Sequence, residues 1–311
     1  MRLWRPRAYG AWLEIKAGEE IRMSLNRWYR LLVAMFVVLL LQVPAQALET
    51  PEQPQEYVLG VFPFLPVANL ERIFAPIAAD LSKQLGRPIK LRLSSSYEKF
   101  IAELKRESFD IVHIHPFDYV RFGKKQGYEP LVARSENLFA LFSVKIDSPI
   151  NAIGELQGKV VGTPPVTGSV TYLALAELRN NGLVPDQDVS IENFSNHLAC
   201  LQQLQIGNID ACATSSSTLK TFESQFGLSL KRIGQSGEIS HTLFAAHGRL
   251  PAAERAVIKK FLLSCQLSYI DENLRELFIE SSDAKSGRYF KAVSDADYDQ
   301  ARQILERLSA P

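Results

Sequence analysis

The sequence of 311 residues predicts an α/β fold with two lobes joined by a hinge of two chain segments. Short apolar strands alternate with amphipathic helices, a pattern typical of α/β domains, and the series runs twice, before and after about residue 143. Extended stretches at 138–146 and 234–246 lie where the chain passes between the two series. Two such connections predict a hinged cleft between the lobes, a usual place for a small ligand.

The first series opens with a strand at 57–61 and a helix at 70–85, which has apolar residues at helical spacing and ends before Gly86. Apolar alternation, Ser capping residues and terminal glycines predict the elements that follow. These are strands at 89–93, 109–114, 131–133 and 138–146 and helices at 97–105 and 118–125. The order predicts a mostly parallel sheet.

The second series shows the same alternation and is followed by a return to the first lobe. Its elements are helices at 150–156, 171–181, 198–206 and 219–226 and strands at 159–163, 189–194, 209–213 and 228–233. The returning chain carries a strand at 239–246 and helices at 252–268, 272–278 and 295–308. We therefore assign residues 48–142 and 238–311 to lobe 1 and residues 143–237 to lobe 2.

Residues 23–47 have the layout of a secretory signal peptide. Arg27 and Arg30 precede the apolar run Leu31–Val43, and Ala45-Gln46-Ala47 is a small-residue cleavage site. The run of about 13 residues is shorter than the roughly 20 that a transmembrane helix needs. We expect cleavage after about Ala47 and a periplasmic protein, with residues 1–22 as an upstream extension.

Charge and motifs exclude several functional classes. After residue 47 the chain holds 28 basic and 31 acidic residues, a net charge of −3, which does not indicate nucleic-acid binding. There is no Gly-x-Ser-x-Gly motif, no P-loop and no dinucleotide-binding glycine motif. The sequence therefore indicates neither an enzyme nor a cofactor.

Two stretches carry a family resemblance: APIAADLSKQLG at 75–86 and FDIVHIHPFDYV at 109–120. Together with the order of elements from Asp147 to Thr214 and the closing segment Tyr289–Ile304, they resemble the periplasmic phosphate/phosphite/phosphonate-binding (PhnD-like) family. The resemblance implies the type II periplasmic binding fold. It also implies a solute-binding protein that captures a small oxyanion and delivers it to an inner-membrane ABC permease.

Three predicted helix starts carry hydroxyl or imidazole groups that suit an oxyanion, since backbone N–H groups point outward there. They are Ser94–Tyr97, Thr167–Ser169 and Asn196-His197. The family resemblance implies ligand contacts for Tyr97, Thr167, Ser169 and His197. We add Ser96 as a candidate. Simple helix capping is the alternative for each of these turns.

The histidines suggest further ligand groups. His113 and His115 stand two residues apart, on one face of a predicted strand. His115 and His241, which lies in the returning segment, are additional ligand candidates. Core packing is the alternative for His113, and a transition-metal site is an alternative for the group as a whole.

The cysteines, Cys200, Cys212 and Cys265, are expected to be small buried hydrophobic residues with inert thiols. The family resemblance adds an alternative, because a branch of that family senses arsenite through a cleft cysteine and Cys212 ends a strand near the predicted cleft. The family's acidic residue for an amino group would fall near 214–216, which reads Thr-Ser-Ser. Aminoethylphosphonate is therefore not expected to be the ligand.

Three other functions remain open from the sequence. The same fold serves a sensor subunit that reports to a membrane histidine kinase, for an oxyanion or arsenite. A protein that binds metal through its histidines, or an enzyme built on such a metal, is also compatible with the five histidines.

Overall fold

A computed structural model describes residues 56–265 and 289–309, which form two α/β lobes. The predicted signal peptide at 23–47, the upstream extension at 1–22 and the predicted helix at 272–278 lie outside the described residues. Within the described ranges, no helix combines the length and apolar character needed to cross a membrane.

The first lobe is built on a six-stranded sheet with the order β13-β4-β12-β3-β1-β2. Its strands are β1 Tyr57–Val61, β2 Ile89–Leu93, β3 Ile111–Ile114, β4 Tyr128–Arg134, β12 Leu243–His247 and β13 Phe290–Ala292. Its helices are α1 Val67–Leu85, α2 Tyr97–Lys105 and α6 Ala252–Ser264, with a helical segment over residues 116–126. Phe74 of α1 and Phe244 of β12 are fully buried in the core between sheet and helices.

The second lobe has a five-stranded sheet with the order β10-β6-β9-β7-β8. Its strands are β6 Leu141–Lys145, β7 Val160–Thr163, β8 Ser190–Asn193, β9 Ala211–Thr214 and β10 Leu230–Gln235. Its helices are α3 Ser169–Asn180, α4 His197–Ile206 and α5 Ser216–Phe226. The predicted helix at 150–156 is only a 3-10 turn, Ile153–Leu156.

The expectation of a mostly parallel sheet in the first lobe holds for strand direction, since β1, β2, β3 and β4 run one way and β12 and β13 the other; fewer than half of its neighbouring pairs are parallel. In each lobe two strand pairs are parallel, β1 with β2 and β3 in the first and β7 with β8 and β9 in the second. The pairing of β13 with β4 is antiparallel. The other pairs are antiparallel because a strand that has crossed from the other lobe enters each sheet in the opposite direction. These strands are β6 and β12, one after each connection between the lobes.

The two connecting stretches pair with each other in a small antiparallel ladder. Asn137–Leu138 (β5) faces Ile239–Ser240 (β11), with Leu138 opposite Ile239. Each predicted long strand is therefore interrupted. The Ala140 amide donates to the Ser236 hydroxyl at 2.9 Å, outside the sheet ladder.

The last helix, α7 Asp299–Ser309, packs on α3 of the second lobe. Ala301 and Ile304 are buried in the same apolar cluster as Val170 and Leu173. The chain thus crosses between the lobes a third time, after β13, through the 3-10 turn Asp295–Tyr298. The lobe boundaries assigned from the sequence stay a prediction.

The expectation of inert thiols is wrong for two cysteines. Cys200 of α4 and Cys212 of β9 form a disulfide, with 6.0 Å between their Cα atoms. Both are fully buried, since the helix packs directly on the strand. The arsenite alternative at Cys212 loses its thiolate. Cys265 is a buried thiol, as expected.

Candidate functional site

A cavity of about 340 Å³ lies between the two lobes. Its walls follow the carboxyl ends of β1, β3, β7 and β9, where loops of parallel strands converge in α/β sheets. Six of the seven sequence-predicted residues line it, and they come from both lobes and the hinge: Tyr97, His115, Thr167, Ser169, His197 and His241.

Ser96 is the predicted residue that the structure does not bring to the cavity lining. Its Oγ accepts a hydrogen bond from the Lys99 amide at 3.2 Å and so caps α2. Here the capping alternative explains the residue. His113 reaches the cavity wall but is 1% exposed, with Phe74 and Phe244 rings about 5 Å away (centroid distances 5.0 and 4.9 Å).

The start of α3, residues 167–170, lines the cavity. Gly168 occupies the N-cap position in an extended conformation, and no side chain caps the helix. The preceding loop is held by Thr171, whose hydroxyl contacts the carbonyl oxygens of Pro164 and Pro165. Ser169 is 5% exposed, and its Oγ has no hydrogen-bond partner in the described structure. A buried hydroxyl beside an open helix N-terminus suits an anion.

His197, the first residue of α4, is fixed in one neutral form. Its Nδ1 accepts the Ser215 amide at 3.2 Å and lies 2.8 Å from the Thr214 hydroxyl. Because the backbone amide can only donate, the ring proton must sit on Nε2. Burial lowers the pKa of His197 to about 4. The ring therefore offers a neutral N–H donor to the cavity at physiological pH.

His241 is fixed in the same way in the interruption between β11 and β12. Its Nδ1 accepts the Thr242 amide at 2.7 Å, which places the ring proton on Nε2. That Nε2 is buried and has no hydrogen-bond partner among the described residues. Desolvation, aided by Arg134, holds the pKa of His241 well below its usual range.

His115 belongs to a different arrangement, which also involves Tyr97 and Asp118. The Tyr97 hydroxyl donates to Asp118 Oδ1 at 2.5 Å, and Asp118 Oδ2 lies 3.6 Å from His115 Nδ1. Asp118 is fully buried, and burial raises its pKa to about 6. Burial also raises the pKa of Tyr97 and lowers that of His115 to about 3. The Phe62 ring packs against His115, with 3.8 Å between the centroids.

Sequence reasoning missed two features of the site. Arg134 lines the cavity from the end of β4 and is paired with Glu136, so its charge is balanced locally. Asp118 is the second: it stands at the start of the predicted helix at 118–125, a position where solvated acids and caps are common. The apolar run that precedes it, Ile111–Phe117, is the signal that it enters the interior.

A metal centre finds no support in the described part of the chain, where no group of three His, Cys, Asp or Glu side chains is arranged to hold an ion. The imidazoles of His197 and His241 each have Nδ1 occupied by a backbone amide. The arrangement instead offers neutral hydrogen-bond donors that converge on a space suited to a small anion.

Comparison with protein families gives a match over most of the chain. The profile described as ABC transporter, phosphonate, periplasmic substrate-binding protein matches residues 59–298. No curated protein sequence matches the chain.

Solved structures share the fold at low sequence identity. PhnD1 from Prochlorococcus marinus in complex with methylphosphonate aligns with a TM-score of 0.67 and 15% identity, covering 82% of this chain and 98% of that one. A binding protein component of an ABC phosphonate transporter from Pseudomonas aeruginosa gives 0.60 and 16%, covering 81% and 86%. The periplasmic aliphatic sulphonate binding protein SsuA from Escherichia coli gives 0.57 and 14%, covering 82% and 87%. These similarities show the type II periplasmic binding fold.

Proposed function

The chain belongs to the family of periplasmic substrate-binding proteins of phosphonate ABC transporters, and from this premise we propose that it captures a small oxyanion of the phosphate/phosphite/phosphonate class. Members of this family bind solutes and are not enzymes. The ligand would lie in the cavity between the lobes and be held as they close.

One observation carries the proposal: apart from Arg134, whose charge Glu136 balances, the hydrogen-bond donors on the residues that line the cavity are neutral. The Ser169 hydroxyl has no partner, and the imidazoles of His197 and His241 present Nε2–H groups. Uncharged donors and helix N-termini hold an anion without neutralising it fully, so release to a permease stays possible.

The electrostatics of the lining agree with an anionic ligand. Arg134 is the charged residue among the cavity-lining side chains, and Glu136 balances it. Ser215 lies on the lobe 2 wall where an amino group would need a carboxylate. A ligand without a cationic tail is therefore favoured over aminoethylphosphonate.

Export and delivery complete the proposed function. The predicted signal peptide at 23–47 would direct the chain to the periplasm and be removed after about Ala47. The closed, ligand-loaded form would then dock on an inner-membrane ABC permease.

The test is ligand-dependent stabilisation of the protein purified from the periplasm. The panel holds phosphate, phosphite, methylphosphonate, sulfate, arsenite and Zn²⁺. A ligand at a hundred times its Kd stabilises the folded state by about 2.7 kcal/mol, which raises the unfolding midpoint. We expect this rise with a phosphorus oxyanion.

Variants locate the binding site. The double change Thr167→Ala and Ser169→Ala should abolish the rise. Ser264→Ala, an exposed hydroxyl at the end of α6, is the matched control and should keep it. A rise with Zn²⁺ or arsenite alone would refute the oxyanion proposal.

A further inference from the structure

The three histidines of the cavity do not present the same chemistry to a ligand. His197 and His241 each accept a hydrogen bond from a backbone amide at Nδ1, so each carries its ring proton on Nε2, and both residues line the cavity. His115 has no such amide. Its Nδ1 faces the buried carboxylate of Asp118 at 3.6 Å.

That difference fixes the proton of His115 on the other nitrogen. Asp118 Oδ1 already accepts the Tyr97 hydroxyl, while Oδ2 and His115 Nδ1 are both buried with no hydrogen-bond partner in the described structure. A bare Nδ1 lone pair facing a carboxylate oxygen would be repulsive. A proton on Nδ1 attracts the same oxygen, and a small decrease in the distance between Nδ1 and Oδ2 gives both atoms a hydrogen-bond partner. Nε2 is then unprotonated.

We propose that His115, oriented by Asp118, accepts a hydrogen bond from the P–OH group of the ligand and selects the singly protonated oxyanion. This rests on the proposed function, since it concerns the form of the ligand bound in the same cavity. His197, His241 and Ser169 donate to the unprotonated oxygens, and His115 receives the one proton that the ligand carries. Asp118 is a positioning residue, because it acts through His115.

The groups around His115 keep this assignment over the relevant pH range. Tyr97 approaches Asp118 from α2 with its phenol protonated, and Arg121 lies near the same carboxylate. Across the cavity stand His197, His241 and the Glu136-paired Arg134. Burial keeps both of those imidazoles uncharged at neutral pH. Above the pKa of Asp118, about 6, the ring of His115 faces a carboxylate.

The chemistry separates two ligand classes of nearly equal shape. A phosphonate or phosphite monoanion carries a hydroxyl proton, whereas a sulfonate or sulfate has none at neutral pH. An unprotonated oxygen opposite His115 Nε2 would set two lone pairs against each other. A buried acceptor left without a donor weakens binding, as does the repulsion.

The experiment is isothermal titration calorimetry of the periplasmic protein with methylphosphonate and methanesulfonate between pH 7 and 9. We expect methanesulfonate to bind at least about tenfold more weakly at pH 7. Methylphosphonate affinity should fall about tenfold per pH unit above its second ionisation, because only the monoanion binds. Methanesulfonate affinity should stay flat, which controls for titration of the protein.

Asp118→Asn tests the positioning role. Its amide oxygen still accepts from Tyr97, while its NH₂ now donates to His115 Nδ1 and moves the ring proton to Nε2. Discrimination should shrink by at least about tenfold, and methylphosphonate affinity should lose its pH dependence. Asp188→Asn, a half-buried acid in a lobe 2 loop outside the cavity lining, is the matched control. If Asp118→Asn does not fold, His115→Gln, whose amide both donates and accepts, should also lose the discrimination.

Equal affinity of the wild-type protein for the two ligands, with the same pH profile, would overturn this inference and leave the proposed function standing. Discrimination that survives both Asp118→Asn and His115→Gln would also overturn it. Binding of neither ligand nor of any phosphorus oxyanion would overturn the proposed function together with the inference.

Discussion

Reduction of the Cys200–Cys212 disulfide should destabilise the second lobe by about 3 kcal/mol. The two cysteines are 12 residues apart, and closing a loop of this length restricts the unfolded chain by that amount in the chain-entropy treatment. For a protein of this size, 3 kcal/mol corresponds to a fall of about 6–12 °C in the unfolding midpoint.

The assay compares thermal and urea unfolding of the wild-type protein with and without reductant. Cys200→Ala with Cys212→Ala should unfold early in both conditions, with a further loss from the missing buried sulfurs. Cys265→Ala should keep the full response to reductant, since it leaves the disulfide in place.

The same experiment also tests the ligand site. Cys200 lies three residues after His197 on α4, and Cys212 lies two residues before Thr214, which contacts the His197 ring. Reduction should therefore weaken ligand binding as well as stability. Three titratable thiols in the denatured, unreduced protein would refute the disulfide. One titratable thiol, with a reductant effect under 1 kcal/mol, would refute the entropy argument.

Two further predictions concern packing and pH. Gly162→Ala should lower the free energy of unfolding, measured in urea, by about 1–3 kcal/mol, because the added Cβ would lie 2.4 Å from Ile209 Cδ1. An unchanged unfolding midpoint would contradict the close packing. The free energy of unfolding without ligand should fall as the pH drops from about 6.5 to about 4. In the folded protein the pKa values of His115 and His197 are lowered to about 3 and about 4, so in this pH range mainly the unfolded chain binds protons at these two histidines. Asp118, with a raised pKa of about 6, opposes this with one proton and does not outweigh two histidines; a midpoint that rises on acidification would refute the reasoning.

The order of elements and six of the cavity-lining residues followed from patterns that are local in the chain, together with the family resemblance. Helix periodicity located α1 and α2, and hydroxyl groups at helix starts pointed to Thr167 and Ser169. The same local rule pointed equally to Ser96, whose hydroxyl caps α2 instead. Whether a hydroxyl caps its own helix or faces a cavity depends on the lobe opposite, which sequence spacing does not encode.

The chemical states of the site depend on contacts between distant residues. The proton position on His197 is set by the Ser215 amide, 18 residues away. The proton position on His115 depends on the carboxylate of Asp118, whose burial is set by tertiary packing. The disulfide was missed because its two cysteines meet only when α4 lies on β9.

The antiparallel pairing of strands also depends on how distant parts of the chain are arranged. A strand's direction is fixed by where the chain enters the sheet, and β12 enters from the other lobe. Its pairing with β3 sets Leu243 opposite Ile114. Apolar alternation reports that such a segment is a strand, and it carries no information about the direction of the neighbouring strand.

The position of α7 decides which lobe carries Ser309. The helix leaves the first sheet after β13 and packs on α3, so Ser309 is fixed to the second lobe. A fluorophore attached at Ser309 is therefore rigidly tied to that lobe. Energy transfer from it to a dye on an exposed residue of α1, such as Lys83, would report a change in the angle between the lobes. The proposed closure on a ligand would then be read as an optical signal.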